Sequence, residues 1–315
     1  MNPDTEPQPS TLQVGPWRIT QIREARAPFL EAARVFPQLD PTGLTRALDR
    51  HGDLYATPDR ARLIMTSQGY LIQGTVDGRP RTLLVDTCAG GPKPHRRPPL
   101  PDAVSPWLTR LIRAGVRPDE VDVVISTHLH HDHVGGNTTL DPDGVLRPTF
   151  ANARHLVARA EYEPAAALAR STPRGGPAEH VHDSVFPLET AGLLDLLDLL
   201  DGDAVVGPGI RLIAAPGHTP GHSIVEVTGG DRPILIIGDL IHHPLQIDDP
   251  DVSVAMCADP HASARTRARV LADAARTGAV LLAAHLPLPL RVQARAGEAG
   301  FDHTLDLGLL APRAC

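Results

Sequence analysis

Lysine is nearly missing from this chain. Lys93 is the only one among 315 residues, the other basic side chains are arginines, and no cationic block interrupts a net charge of −7. A face that binds nucleic acid needs clustered cations to neutralise phosphates, so no nucleic-acid partner is expected. Aromatic residues make up 3% of the chain, which leaves few flat surfaces on which a base or a sugar could stack. The three cysteines, Cys88, Cys257 and Cys315, are odd in number, far apart and without a C-x-x-C pair. That pattern argues against a disulfide framework and against a thiolate zinc site. No apolar run reaches the ~18–20 residues that span a bilayer, so no membrane partner is expected. The polar start MNPDTEPQPS has neither the basic nor the apolar segment of a secretion signal. The expectation is a soluble, cytoplasmic, globular protein.

What is present can build a core. At 42% hydrophobic the chain has enough apolar surface to bury, and its length suits one large domain. Residues 1–14 read as a disordered tail and 304–315 as a C-terminal tail. Between them lies a single domain over 15–303, of which 15–60 form an irregular extension with a short helix. RLIMTSQGYLIQG and RTLLVDT, joined across Asp77-Gly78, predict a hairpin. A helix is predicted over 104–115, closed by Gly115. VDVVIST does not alternate, which marks a strand buried on both faces. ARHLVAR predicts a strand, AEYEPAAALAR a helix, 171–187 a loop and 189–200 an amphipathic helix. Strands follow in IRLIAAP, HSIVEVT, PILIIGD and AVLLAAH. A helix over 260–277 precedes the last, with Asp259 as N-cap and Pro260 first in the helix. This order predicts an α/β (α+β) layered domain with helices outside the sheets. The triplet repeat LLDLLDLLD (193–201) would spread a wide apolar face around a helix, packed on the core and permitting a homodimer.

The chemistry is concentrated in STHLHHDHVGG, residues 126–136. Four histidines and one aspartate fall in six positions, His128 to His133, directly after the buried strand. In extended backbone, residues i and i+2 point the same way, so His128 and His130 aim at one point. Asp132 and His133 start a new direction in the first turn of a short helix. Gly135 and Gly136 let the backbone bend tightly behind them. Two adjacent aiming points with nitrogen and oxygen donors are what a pair of metal ions requires. The competing reading is a His-rich surface loop. Against it, His218 follows the strand ending at Pro216, Asp239 ends LIIGD, and His285 ends LLAAH. Four strands each deliver a metal-type residue at the same end.

In THLHHDHVGG (127–136), PGHTPGHS (216–223), IGDL (237–240) and AAHLP (283–287), with LLVDT (83–87) upstream, the chain resembles the metallo-β-lactamase superfamily of metal-dependent hydrolases. The match covers most of residues 60–290. The resemblance implies a four-layer αβ/βα sandwich with a metal centre at the edge between two sheets. It implies that His128, His130 and His218 hold one divalent ion, that Asp132, His133 and His285 hold a second, and that Asp239 bridges them. Zinc is the first choice for such donors, with manganese, iron or cobalt as alternatives. His133 and Asp239 set the chain apart from the antibiotic-hydrolysing dizinc members, which usually carry Cys in place of the latter. His130 sets it apart from flavin-linked diiron members, which have Glu there. The chain is most similar to the lactonase and organophosphate-hydrolase-like branch. That implies a hydrolase whose metal-bridging hydroxide attacks a small ester, a lactone or a related carboxylic or phosphate ester. Asp239 would hold the metal pair and Asp132 would steer the proton.

Around this set, Asp86 is expected to accept a proton from a ligand histidine and His222 to anchor the GHTPGH turn. Lactonases of this branch use a tyrosine to hold the substrate carbonyl, which points to Tyr162. His242 and His243, on the loop after Asp239, are the other candidates for touching the small-molecule substrate. His131 should point to the rim, HVHD (180–183) should be a lid or plain loop, and Cys88 a small buried residue. Specificity is expected in 15–60, 163–187 and 189–200. Two competing functions remain: a thioester hydrolase of glyoxalase II or polyketide-thioesterase type, and a non-catalytic metal-binding protein of the same fold. The scarcity of lysine weighs against a glutathione-gripping site, and the full ligand set against a decayed one.

Overall fold

The structure is a computed structural model that describes residues 11–94, 106–199, 202–295 and 300–305. The chain opens with β1 (Thr11–Val14) and a long β2 (Trp17–Glu31). It passes through α1 (Ala32–Val35) and α2 (Pro41–His51) and returns in β3 (Arg62–Val76) and β4 (Arg79–Val85). Next come α3 (Trp107–Arg113), β5 (Val123–Ile125), α4 (His131–Val134), a small hairpin of β6 (Thr138–Leu140) and β7 (Leu146–Pro148), and β8 (Arg154–Ala158). Then follow α5 (Arg159–Ser171), α6 (Glu179–Ser184), α7 (Phe186–Thr190) and β9 (Leu194–Leu197). The second half holds β10 (Asp203–Gly207), β11 (Ile210–Ala214), β12 (Ser223–Val227), β13 (Ile234–Gly238), α8 (Leu245–Asp248), α9 (Pro260–Thr277), β14 (Val280–Ala283), β15 (Leu290–Ala294) and β16 (Phe301–Leu305).

Two seven-stranded sheets result, in the orders β1-β2-β3-β4-β5-β8-β9 and β10-β11-β12-β13-β14-β15-β16. Side-chain alternation explains why they stack. On β4, Leu83 and Val85 face the opposite sheet while Leu84 faces outward; on β13, Ile234 and Ile236 face inward while Leu235 and Ile237 face outward. A strand covered on both sides must be apolar on both, hence the unbroken hydrophobic runs. The inner faces of the two sheets share one core, joining Ile72 and Ile125 to Leu212, Val225 and Leu282. Trp107 and Leu111 of α3 cover the outside of the first sheet, and Val270, Leu271 and Ala274 of α9 cover the second. The architecture is the expected αβ/βα sandwich. Asp259 caps α9 by accepting from the Ala262 amide, as its sequence predicts. No helix among the described residues is long and apolar enough to cross a membrane.

Several expectations are corrected. Residues 11–14, assigned to the tail, form β1 and pair with β2; the first ten residues lie outside the described ones. The extension over 15–60 is not irregular: it opens with the 15-residue β2, paired along its length with β3, and continues through α1 and α2. The register of β2 shifts at Arg23/Ala25 and at Pro28/Leu30. Those bulges absorb Pro28 and break the alternation that would have marked a strand. The helix over 189–200 is instead the end of α7 followed by β9, parallel to β8. A three-residue repeat matches neither helix nor strand period, and pairing with β8 decided it. HVHD is not a loop: it lies in α6, with Val181 and Asp183 buried. The C-terminal tail is strand as far as Leu305; residues 306–315 lie outside the described ones, as does the start of the helix expected over 104–115, which is described from Trp107 onward.

Candidate metal centre

Strand ends deliver the site. β4 leads into Asp86, β5 runs into His128 and His130, α4 carries Asp132 and His133, and the turns after β11, β13 and β14 present His218, Asp239 and His285. The structure brings all seven expected ligands together. Nε2 of His128 and Nε2 of His218 each lie 3.0 Å from Nδ1 of His130. His218 Nε2 is 3.2 Å from Asp239 Oδ2. On the other side of the same carboxylate, His133 Nε2 and His285 Nε2 are each 3.1 Å from Oδ1. Asp132 Oδ2 closes this second group at 3.7 Å from His285 and 3.9 Å from His133. Asp239 therefore stands between two donor sets, with His218 at Oδ2, His133 at Oδ1 and His285 within 3.2 Å of both oxygens.

The hydrogen bonds behind the ligands decide which ring nitrogen carries a proton. His133 Nδ1 donates to Asp86 Oδ2 at 2.8 Å, and His285 Nδ1 to the Thr66 carbonyl at 2.8 Å. His128 Nδ1 lies 3.1 Å from Thr127 Oγ1, whose own proton goes to Asp86. His218 Nδ1 is 3.7 Å from Cys257 Sγ. In all four rings the outward nitrogen is engaged as donor, which turns the Nε2 lone pair inward, as metal ligation requires. The spacing fits as well. Two imidazole nitrogens each ~2.0–2.1 Å from one tetrahedral zinc lie roughly 3.3 Å apart. Charge points the same way. Burial alone would push the His133 and His285 imidazoles below their ordinary value, yet Asp239 first, with Asp86 and Asp132 for His133 and Asp132 for His285, holds both above it. The buried carboxylates of Asp86 and Asp239, with the partly buried Asp132, need positive charge among them, and divalent metal would supply it.

Both expected supporting residues occupy their places. Asp86 accepts from the Thr127 amide and hydroxyl as well as from His133, and it does so with φ at +58°, a left-handed backbone that a non-glycine residue adopts at a cost. His222 donates from Nδ1 to the Ala215 carbonyl and accepts the Asp239 amide proton at Nε2, each at 3.1 Å. Burial pulls its imidazole down to about 3, so it stays neutral in that bridge. Gly238 makes the contact possible: a Cβ there would come within 2.7 Å of His222 Nε2.

Two groups that sequence reasoning missed hold the frame. Glu161, in the first turn of α5, accepts from the amides of Leu129 and Gly221 at 3.0 and 2.9 Å, tying the histidine motif to the 216–222 turn. Arg267 of α9 is 1% exposed and donates to the carbonyls of Leu240 and Val252 at 2.9 and 2.8 Å, which pins the loop behind Asp239. Neither residue carries a local signature; each is ordinary in its helix until the fold sets it against a loop.

The substrate-side expectations fare differently. Tyr162 does not reach the cavity: it is buried among α5 and α6 and its hydroxyl accepts from Arg170 at 3.2 Å. Its ring packs with Leu129, Val134 and Ala166 behind the motif, outside the cavity lining. His243 also points elsewhere, packing on Phe36, His51 and Tyr55. His242 does line the cavity, with Nε2 3.2 Å from Asp239 Oδ2. His131 is at the rim, its side chain 48% exposed. Cys88 is fully buried.

Above the ligands lies a cavity of about 470 Å³. Its floor is His130, Asp132, His218, Asp239 and His285, and its wall is apolar: Phe29 and Leu30 from the bulged end of β2, with Met65 and Met256.

A family model described as the metallo-beta-lactamase superfamily matches residues 67–285. An N-acyl homoserine lactonase of Bacillus sp is 33% identical over 130 residues, 41% of this chain and 42% of that protein. The chain thus spans about two fifths of the length of that curated relative. Among solved structures, hydrolase AbOPH in the beta lactamase superfamily superposes with a TM-score of 0.78 at 22% identity, covering 96% of this chain and 98% of that one. AidC, a dizinc quorum-quenching lactonase in complex with a product, N-hexanoyl-L-homoserine, gives 0.73 at 19% identity, covering 95% and 97%. At these identities the likeness is one of fold.

Proposed function

The chain belongs to the metallo-beta-lactamase superfamily, and on that footing we propose that it is a dinuclear-metal hydrolase of esters bearing an apolar acyl group, an acylated lactone first among them. The observation that carries this is the meeting of two complete donor sets on one carboxylate, Asp239, beneath a cavity with an apolar wall. Two divalent ions, zinc by the nitrogen-rich donors, would be held by His128, His130, His218 and Asp239 on one side and by Asp132, His133, His285 and Asp239 on the other. Bound there, they supply Lewis acidity toward the substrate oxygen and toward water.

The chain's own residues do the rest. Asp239 keeps the two sets at a common distance. Asp132, a quarter exposed and held ionised because His133, His131 and His285 outweigh its burial, offers an oxygen that orients the proton of the attacking water. Asp86 and Thr66 keep the lone pairs of His133 and His285 turned inward. Phe29, Leu30, Met65 and Met256 take the acyl chain and exclude bulk water; methionine adapts to chains of differing length. Attack breaks the acyl–oxygen bond and releases an acid and an alcohol, which for a lactone are one molecule. The lactonase identity of the Bacillus relative supports the carboxylic-ester reading.

The test combines metal analysis with a panel of an N-acyl homoserine lactone, an acyl thioester and a phosphotriester. The proposal expects two metal ions per chain and a preference for the lactone that rises with acyl length. Two ions with no turnover on any of the three would favour a binding protein, and a preference for the thioester would transfer the assignment to that class.

A further inference from the structure

Strand β2 carries two bulges. The second gives Phe29 to the cavity wall, and the extra residue at the first is acidic. The register passes from Arg23, opposite Gln68, to Ala25, opposite Ser67, and leaves Glu24 without a counterpart on β3. A bulge re-aims a side chain, and this one turns a carboxylate inward, 4% exposed, at the cavity lining. Glu24 Oε2 accepts from the Ser67 hydroxyl and the Ala89 amide, each at 3.0 Å, and Oε1 accepts from the Gly90 amide at 2.9 Å. The carboxylate thereby fastens the segment after β4 to both β2 and β3.

That segment carries Asp86, and its backbone is strained. Asp86 and Cys88 both have φ at +58°. Left-handed backbone at two non-glycine residues persists only where the surroundings enforce it. One end is fixed by Asp86 itself, which accepts from the Thr127 amide and hydroxyl and from His133. The middle is locked to the turn that bears Asp132 and His133: the Thr87 amide donates to the His133 carbonyl at 2.7 Å, and the Gly136 amide to the Cys88 carbonyl at 3.3 Å. The packing between them is close enough that a Cβ on Gly135 would overlap the Ala89 carbonyl. Glu24 fixes the far end. The other donor set is framed from elsewhere: Glu161 ties Leu129, between His128 and His130, to Gly221 in the turn of His218.

We propose that Glu24 is a positioning residue for one ion of the pair. By clamping residues 86–90 against β2 and β3 it sets the hydrogen bond from His133 to Asp86 and the place of Asp132 and His133, and so governs the donor set of Asp132, His133 and His285 without being a ligand. Without the clamp the left-handed segment can relax, and the turn locked to it moves with it. The set of His128, His130 and His218 has its own anchor in Glu161 and is spared. The inference rests on the two-ion reading and adds a residue that acts on one half of it.

The test titrates zinc into the metal-free full chain against a chromophoric chelator, with native mass spectrometry to count ions, for the wild type and Glu24→Gln. Glutamine keeps the size but turns an NH2 group toward one of the three donors. Glu24→Gln should weaken one ion about tenfold, as loss of a group behind a ligand does, and leave the other within about twofold. The Asp132→Ala background identifies the ion: there the remaining ion should bind equally well with Glu24 or Gln at position 24. A merely structural role would lower both affinities together. Equal weakening of both ions, no weakening of either, or a further loss in the Asp132→Ala background would overturn the proposal. If Glu24→Gln does not fold, Ser67→Ala decides, since it removes one of the three donors: a smaller drop confined to the same ion supports the clamp, and an equal drop at both or none at either overturns it. A wild type that takes up one ion only would remove the two-ion reading itself. A wild type with two ions and unchanged binding in Glu24→Gln would remove the clamp alone.

Discussion

His242 and His243 are adjacent in sequence and sit in two different histidine clusters. Around the first, ring nitrogens converge to 3.0–3.2 Å of one another or of Asp239. Around the second, His51, His243 and His303 meet with ring centroids 5.3 Å apart, and Tyr55 packs edge-on. The carboxylate of the second cluster, Asp248, is taken: His51 Nε2 and Arg50 Nη1 both reach it at 2.9 Å. Burial pulls the His243 and His303 imidazoles down, so those two rings stay neutral. Among the described residues, no metal-ligating set forms there. The contrast shows that histidine density does not make a metal centre. Inward lone pairs and a carboxylate with no arginine competing for it do.

The sharpest way to break this contrast is Asp239→Ala. It removes the one group both donor sets share, and we expect loss of at least one ion by mass spectrometry with a fall in hydrolysis of about 10³-fold or more. A variant that kept both ions would mean the sets hold metal independently.

A buried imidazole outside both clusters sharpens the role of charge. His155, on β8 against Phe150, has its pKa pushed down by burial to about 4. In the unfolded chain it returns to its ordinary value, so the unfolded state takes up the proton first as the solution is acidified. The stability that depends on a neutral His155 is whole above about pH 6.5 and is lost as pH falls toward 4, by ~3 kcal/mol. Urea unfolding of His155→Leu at pH 7 and at pH 4.5 should show a smaller acid loss than the wild type. An equal loss would place the acid sensitivity elsewhere.

Asp86→Asn tests whether inward lone pairs matter. The amide can still accept from His133, but it removes the charge behind it, and metal affinity in competition with a chelator should weaken about 10–100-fold. The smallest effect is expected from Asp248→Asn in the second cluster: metal content unchanged, and stability lowered by about 1–2 kcal/mol because His51 and Arg50 lose their anionic partner. A loss of metal in that variant would show that the two clusters are coupled through the 239–248 loop.

How much was legible beforehand follows from how local each signal is. The residues His128, His130, Asp132 and His133 lie in one turn, and His218, Asp239 and His285 each end a strand whose apolar run is unmistakable. Asp86 and His222 could be named because they lie beside those ends. Glu161 and Arg267 could not, because the loops they hold, at Leu129 and at Leu240, are 32 and 27 residues away and neither residue is unusual for its helix. Tyr162 was misplaced because its distance along the chain from the motif says nothing about whether its ring turns into the cavity or into the packing between α5 and α6. The cavity wall was hidden in β2, where Arg23, Glu24 and Pro28 obscured a strand that is real only because β3 pairs with it.

The sequence by itself determined which donors this protein has, the order in which strands deliver them, and the apolar runs that force two stacked sheets. Those depend on residue type and near-neighbour spacing. Only the tertiary structure decided that Asp239 lies between the two donor sets, that His242 lines the cavity while His243 turns to another cluster, and that a bulged strand supplies the apolar wall. Those depend on distances between groups far apart in the chain, which are set when the two sheets close on a common core.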